Sequence, residues 1–492
     1  MPTAVPSSGL RSRLVVPTLA FGGVLMALMQ TVIVPLLPAL PGDTGSSPGT
    51  VSWMLTATLL SGAVLNPVLG RAGDMYGRRR ILVGALVVMT VGSALCALTT
   101  DIGVLITARA LQGTAAAVVP LATGILRDEL PPHRVGSAVA LMSSTVGIGA
   151  AAGLPLASIV VQHADWHVLF WVTTGLGALG AALSWWVLPR SSVRTPGRFD
   201  VVGALLLTTG LVGVLLAVSK GGDWGWTSPA VLGVGATGVL VLPLWGRHQL
   251  RVREPLVDLR LAARRTVLLP HLAALVTGFA FYANWLATVQ LVQAPEGTGY
   301  GLGASALVAS LCLLPGGVTM VVMSPVSARL SAARGARLTL VAGALVIAAA
   351  YVVRVFTSEH MWTITAGATT CSVGTGLVYS ALPTLVIQAV PAAQTAAATG
   401  LNVLMRTIGQ ALCSTVVAVV LTTVTTTVPA GPGDAAGGTY ASLDAYRIVF
   451  ALAAAAALAA ALTATAIPHT ATPPSTGPGT REVPRRASRT PS

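Results

Sequence analysis

Fourteen long apolar runs, separated by short polar connections, organise this chain. Their approximate limits are 14–38, 51–69, 81–99, 103–126, 136–161, 167–188, 201–219, 229–246, 267–292, 302–327, 338–357, 362–390, 396–428 and 445–467. A helix needs roughly 20 mostly apolar residues to cross a bilayer, so each run predicts a spanning helix. Period-2 alternation is absent, which argues against a membrane β-barrel. The runs 362–390 and 396–428 are long enough to predict tilt, or a helix reaching past the bilayer.

Composition agrees with an all-α polytopic membrane protein. Hydrophobic residues make up 54% and charged residues 9%, against about 25% charged in soluble domains. Such a chain cannot cover a water-facing surface.

The net charge of +14 is explained by the positive-inside rule rather than by nucleic acid. With an even number of spans both termini share one side. Placing them inside collects Arg11, Arg13, Arg71, Arg78, Arg79, Arg80, Arg127, Arg134, Arg190, Arg194, Arg198, Arg329, Arg334, Arg337, Arg481, Arg485, Arg486 and Arg489 in cytoplasmic segments. The stretch 247–265, with Arg251, Arg253, Arg260, Arg264 and Arg265, joins them and is expected to lie on anionic lipid at the inner face. Lys220 and Arg447 fall opposite, and Arg354 lies near an outer helix end. Arg109 and Arg406 fall inside runs. A lone Lys against 28 Arg suggests a GC-rich genome, and a bacterial plasma membrane is the expected location. The four cysteines, Cys96, Cys312, Cys371 and Cys413, all sit in apolar runs and read as packing residues.

Two stretches echo each other. Pro67-Val68-Leu69-Gly70-Arg71-Ala72 with Gly77-Arg78-Arg79 is matched by Pro325-Val326-Ser327-Ala328-Arg329-Leu330 with Gly335-Ala336-Arg337. Leu141-Met142 before Gly147 is matched by Leu404-Met405 before Gly409. Both echoes are offset by eight runs. The simplest account is two six-helix halves with two helices inserted between them, an arrangement suited to rocking about a midplane site. The expected divisions are a cytoplasmic start (1–13), an N-terminal bundle (14–188), a linker with two inserted helices and a basic segment (189–265), a C-terminal bundle (266–467) and a disordered tail (468–492).

The stretch Gly70-Arg71-Ala72-Gly73-Asp74-Met75-Tyr76-Gly77-Arg78-Arg79-Arg80, between the second and third runs, resembles the G-x-L-x-D-x-x-G-R-R signature of the major facilitator superfamily. Gly70, Asp74, Gly77, Arg78 and Arg79 match it; Ala72 replaces the usual Leu. Arg109-Ala110-Leu111-Gln112-Gly113 is similar to the family's R-x-x-Q-G. Gly147, Gly149, Gly153 and Pro155 resemble the antiporter motif of drug exporters, although Leu154 separates the Gly and Pro that are normally adjacent. The same residues also suit plain helix packing, with a kink at Pro155. The whole span 14–467 resembles the fourteen-helix drug:proton antiporters of this superfamily. That resemblance implies a monomeric exporter of small organic molecules driven by proton influx, with no cofactor or metal. A solute importer on the same fold is the alternative.

The resemblance also implies a gate, in which Asp74 meets the start of the thirteenth helix around Gln394–Thr399 and pairs with a basic neighbour such as Arg127. A lone Arg in a spanning helix usually faces a polar cavity or partner. Arg109, and with it Arg406, is therefore expected to charge the central cavity, with snorkelling to the surface as the alternative for Arg109. The cavity is expected between the halves, lined from helices one, two, four, nine and twelve by Met26, Met29, Gln30, Asn66, Tyr282, Asn284, Trp285, Gln290 and Tyr379.

None of the fifteen acids falls near the middle of a run. Where related exporters carry an acid in the first helix, this chain has Met29. A cavity with fixed positive charge and no anion favours a neutral or acidic substrate. Proton coupling would then use Asp74, the Asp128-Glu129 rim or the substrate's own acid group. No H-E-x-x-H, G-x-S-x-G or phosphate-binding loop occurs, which argues against an enzyme or an ATP-driven pump. His163, Asp165 and His167 lie together on a connecting loop, too few to predict a metal site.

Overall fold

The computed structural model describes residues 9–33, 36, 40–190, 197–358, 360–428 and 438–468. The expectations for residues 1–8, for Arg194 and for the tail from 469 onward lie outside the described residues.

Among the described residues there are fourteen long helices: α1 (Gly9–Thr31), α2 (Trp53–Tyr76), α3 (Arg78–Leu98), α4 (Ile102–Gln112 and Val118–Glu129, joined by a 3-10 turn at Gly113–Ala117), α5 (Pro132–His163), α6 (His167–Val187), α7 (Val201–Trp224), α8 (Pro229–Arg251), α9 (Arg265–Gln293), α10 (Ala306–Arg334), α11 (Ala336–Phe356), α12 (Met361–Ala389), α13 (Thr395–Thr423) and α14 (Leu443–Thr465). Thirteen of them are long and apolar enough to cross a membrane among the described residues. The other, α5, has 32 residues.

Two boundaries differ from the expectation. The helix of the first run, α1, ends at Thr31. The run 396–428 is not helical throughout. Its last residues form β1 (Thr425–Val428), paired antiparallel with β2 (Gly438–Ala441). Three consecutive threonines, Thr425–Thr427, favour this change, because β-branched side chains fit a strand better than a helix end.

Apolar packing follows the two halves. One core cluster is built mainly from α1–α6 and another from α9–α14. A third cluster joins Leu207, Leu211 and Leu215 of α7 to Ala63 and Val64 of α2, Leu404 of α13, and Leu256 and Val257 of the linker. Thus α7 touches both halves. Its polar end repeats the bridge: Thr56 and Ser219 hydroxyls lie 3.4 Å apart, and the Thr415 hydroxyl donates to the Val218 carbonyl at 3.0 Å. By contrast, α8 packs mainly on α7 and exposes Leu232, Val239, Leu240 and Leu244, as a lipid-facing helix does.

The start of α7 is tied to the end of α8 by Asp200. Its carboxylate accepts the Gly203 N–H (2.8 Å) and the Gln249 amide (2.9 Å) and lies 2.9 Å from His248 Nε2. Burial pushes this carboxyl up, but the hydrogen bonds from His248, Gly203 and Gln249 outweigh it and hold it below the ordinary value. Asp200→Ala should cost about 1 kcal/mol of stability, the worth of a helix N-cap, read by thermal unfolding in detergent. A depressed folded pKa means the contribution is full above roughly pH 4 and fades as pH falls through the folded value. Native protein and variant should therefore converge in acid. A difference that grew on acidification would contradict this role.

Candidate functional site: a closed basic end and a central cavity

The arginine-rich turn between α2 and α3 defines what is called here the basic end. Gly77 makes that turn with φ 107°, a backbone conformation only glycine adopts readily. Asp74 sits one turn earlier, 1% exposed, and receives Arg78 through Nε (2.8 Å) and Nη2 (2.7 Å). It also accepts the N–H groups of Ala397 (2.9 Å) and Ala396 (3.4 Å) in the first turn of α13. Those N–H groups have no partner within their own helix, and the helix dipole is positive there.

Arg78 is fully buried and reaches Asp128 (2.5 Å), the Gly124 carbonyl (3.0 Å) and the Ala392 carbonyl (2.7 Å). The expected pairing of Asp74 with Arg127 is corrected: Arg78 takes that place. Arg127 instead crosses to the Val390 carbonyl (3.1 Å) and the Thr395 hydroxyl (2.6 Å). Arg79 turns outward, bonding the Trp185 carbonyl and stacking on the Trp185 ring.

Backbone contact completes the closure. A Cβ on Gly70 would stand 2.8 Å from the Ala396 carbonyl, and one on Gly400 2.8 Å from that of Asn66. The hydrogen bonds joining the halves here, together with the Ser380 hydroxyl on the Ala140 carbonyl (3.4 Å), lie in the half of the bundle nearest the basic end. The second copy of the turn keeps the glycine (Gly335, φ 86°) but has Ala332 where the first has Asp74. The acid-centred closure is thus one-sided.

Arg109 does not charge the cavity, nor does it snorkel. It is fully buried and donates to the carbonyls of Met29 (3.0 Å) and Met54 (3.3 Å) and to Gln112 Oε1 (2.5 Å). Gln112 continues to Ser93, whose hydroxyl faces Met29 Sδ. Where α4 tightens into its 3-10 turn, the carbonyls of Arg109 and Ala110 receive the Thr58 (3.0 Å) and Ser61 (2.7 Å) hydroxyls of α2. The R-x-x-Q-G residues therefore bolt α1, α2, α3 and α4 together.

Gly147 faces Met320 of α10, while Gly149 and Gly153 face Ala27 and Thr31 of α1. These are close helix–helix contacts, and α5 runs unbroken through Pro155.

A cavity of about 120 Å³ lies between the halves. Met26, Gln30, Asn66, Tyr282, Trp285 and Arg406 line it, with Gln410 of α13 and Ser219 of α7. Tyr282 and Trp285 stack with centroids 5.6 Å apart. Arg406 lies 4.6 Å from the centre of the Tyr379 ring. Among the described residues no carboxylate is within 4.0 Å of it, and none lines the cavity. Both polar atoms of the Asn66 side chain, and Trp285 Nε1, are buried without a partner.

Four expected lining residues lie elsewhere. Met29 belongs to the Arg109 cluster. Tyr379 lies behind Arg406. Gln290 is exposed. Asn284 accepts Arg354 (2.6 Å) and donates to the Ala368 carbonyl (3.2 Å). The expected helix twelve is replaced by α13 and α7. Sequence reasoning missed Gln410 and the inward course of Arg354, which also bonds Thr288 and stacks on Phe450. The i,i+4 spacing of Asn284 and Thr288 was the available sign of a polar stripe. The loop residues Asp165 and His167 bond only each other's neighbourhood, His167 Nδ1 lying 2.5 Å from the carboxylate. Among the described residues no three potential metal ligands gather.

Two packed helical halves with a cavity between them are the architecture found in many transporter folds. The Major Facilitator Superfamily profile matches residues 19–414, and the chain belongs to that superfamily. It is a multi-pass membrane protein with bacterial relatives. It is 31% identical over 356 residues, 70% of this chain, to the tetracenomycin C resistance and export protein of Streptomyces glaucescens. It is 27% identical over 79% of its length to the multidrug resistance protein Stp of Mycobacterium tuberculosis, 72% of which is covered. The matched region spans 64% of the Streptomyces protein and 46% of an uncharacterised MFS-type transporter of M. tuberculosis. The human organic anion transporter MFSD10 shares the fold, with a TM-score of 0.63 at 16% identity, covering 92% of this chain and 99% of that one.

Breaking the Asp74 pair leaves Arg78 buried beside fewer partners, a change worth about 3–5 kcal/mol. Asp74→Asn should therefore loosen the basic end while membrane insertion stays normal. A thiol placed behind the closure (Thr399→Cys; Thr399 is 3% exposed) should react with maleimide at least about tenfold faster in the Asp74→Asn background, as a shift of 1.4 kcal/mol already suffices. Equal labelling rates would remove Asp74 from the closure.

Proposed function

We propose that this protein exports small neutral or acidic organic compounds by alternating access, with the basic end in the cytoplasm and protons moving inward in exchange. The observation that carries the substrate class is Arg406, a guanidinium in the cavity wall with no carboxylate within 4.0 Å among the described residues. A fixed, uncompensated cation attracts anions and repels cations in a low-dielectric site. The stacked Tyr282–Trp285 pair and Met26 add an apolar, adaptable surface. Export is supported by the Streptomyces relative, named for resistance and export, and by the Stp relative, named for multidrug resistance. Orientation is supported by the excess of arginine at the basic end.

In this reading the structure is the outward-facing arrangement. Its cavity is smaller than the roughly 300 Å³ of typical ligand pockets, so substrate loading requires the halves to move apart. With no carboxylate in the cavity wall among the described residues, proton exchange falls to Asp74, Asp128 and Glu129 at the basic end, or to the acid group of the substrate itself.

Growth-inhibition profiles in an efflux-deficient bacterial host test substrate class and direction together. Expression should raise resistance to neutral or anionic antibiotics and leave ethidium-like dications unaffected. Arg406→Gln should lower resistance to anionic compounds by about tenfold, the value of one lost charge-assisted contact, and affect neutral ones less. Trp285→Ala should change the spectrum at normal expression. Strong dication resistance would refute the charge assignment. Accumulation of a compound in expressing cells, instead of its loss, would establish import.

A further inference from the structure

A second pocket lies at the basic end, apart from the central cavity, with a volume of about 220 Å³. Its walls come from separate parts of the chain. Arg71 comes from α2, Arg253, Glu254 and Asp258 from the linker, His271 from α9 and Gln394 from the approach to α13. Ala397, whose N–H binds Asp74, also lines it.

The polar groups in this pocket are unevenly satisfied. The two acids are engaged with backbone: Glu254 accepts the Arg198 N–H, and Asp258 accepts the Leu261 N–H at 3.0 Å. The two guanidinium groups have no carboxylate within 4.0 Å among the described residues. Arg71 is 7% exposed and His271 3%. The Asn402 amide nitrogen donates to the Pro270 carbonyl (3.3 Å) and faces His271 Nδ1 at 3.2 Å. An amide N–H₂ can only donate, so Nδ1 accepts and the ring proton sits on Nε2. That Nε2 is buried without a partner. A buried donor left unmade is costly, and this one lines a space several times the roughly 30 Å³ of one water.

We propose that this pocket binds an oxyanion, either a free phosphate-type ion or the phosphate of an anionic lipid headgroup, and that its occupation holds the basic end closed. Two unpaired guanidinium groups and one N–H donor are the groups that recognise such an ion. The closing effect follows from where they stand. Arg71 belongs to the N-terminal half and His271 to the C-terminal half, so an anion held by both binds best while the halves meet. A ligand that prefers one arrangement shifts the population toward it. The site is separate from the substrate cavity, and its function does not depend on what is exported.

The full-length protein in phosphatidylcholine nanodiscs, titrated with inorganic phosphate against chloride at matched ionic strength, provides the test. Two readouts are used: thermal stability, and maleimide labelling of Thr399→Cys. Phosphate should raise Tm and slow labelling severalfold; chloride should do neither. Arg71→Gln and His271→Leu should each weaken the phosphate midpoint by about tenfold, the worth of one charge-assisted hydrogen bond. His271→Gln, which retains an N–H donor, should restore most of it. Arg260→Gln, whose native guanidinium bonds the Leu250 carbonyl, should behave like the native chain. Slow labelling in phosphatidylglycerol nanodiscs without phosphate identifies the headgroup as the source, and a phosphate requirement in both lipids identifies the free ion. Equal effects of phosphate and chloride, or an undiminished phosphate effect in both Arg71→Gln and His271→Leu, would overturn the site. Phosphate binding with unchanged or faster labelling would overturn the closing role.

Discussion

The closed basic end depends on one buried ion pair that is complete only when the two halves touch. Asp74 and Arg78 are both out of water, where an isolated charge is strongly unfavourable. Each is therefore surrounded. Asp74 has Arg78 and two α13 N–H groups; Arg78 has Asp74, Asp128 and two carbonyls. Several of these partners, Ala392, Ala396 and Ala397, belong to the C-terminal half. Separation of the halves removes them together, and water must replace them together. Contacts that are lost together in this way couple the buried pair to the meeting of the halves.

Two other buried arginines, Arg109 and Arg354, have no carboxylate within 4.0 Å among the described residues. Arg109 is met by two carbonyls and an amide oxygen, and Arg354 by an amide oxygen, a hydroxyl and the face of Phe450. Neutral dipoles and aromatic faces share the charge over many atoms. Both residues serve to fasten helices within one half. Arg406 differs because its ring partner, Tyr379, supports it from behind while it borders the cavity. Among these three arginines, the one that borders the cavity has the fewest protein partners.

The inserted pair α7 and α8 has a physical role visible in its packing. Because α7 contacts α2 and α13, it covers the seam where the halves meet, and Leu215 and Ser219 become part of the cavity wall. The linker that follows α8 buries Leu256 and Val257 in the same apolar cluster. A basic segment read from its charges as a membrane-surface stretch is thus also packed into the bundle by two aliphatic residues.

The sequence by itself determined the class of protein: run length, low charge and the absence of period-2 alternation require spanning helices, and the repeated glycine-arginine turn marks two related halves. Residues whose role depends on chain-local chemistry were legible too, such as Gly77 in the turn. Tertiary structure alone decided which way side chains point. A spanning helix offers its sides to lipid, neighbouring helices and cavity in turn, and composition does not distinguish them. Hence Met29, Asn284, Gln290 and Tyr379 fit the chemistry of a cavity but not its place, and Arg109 is a fastener whereas Arg406 borders the cavity. Pairing is equally non-local. Arg78 rather than Arg127 meets Asp74 because they lie one turn apart across Gly77, and Arg127 projects toward the chain just before α13. Which neutral groups a buried charge finds, tens to hundreds of residues away, is fixed only when the helices pack.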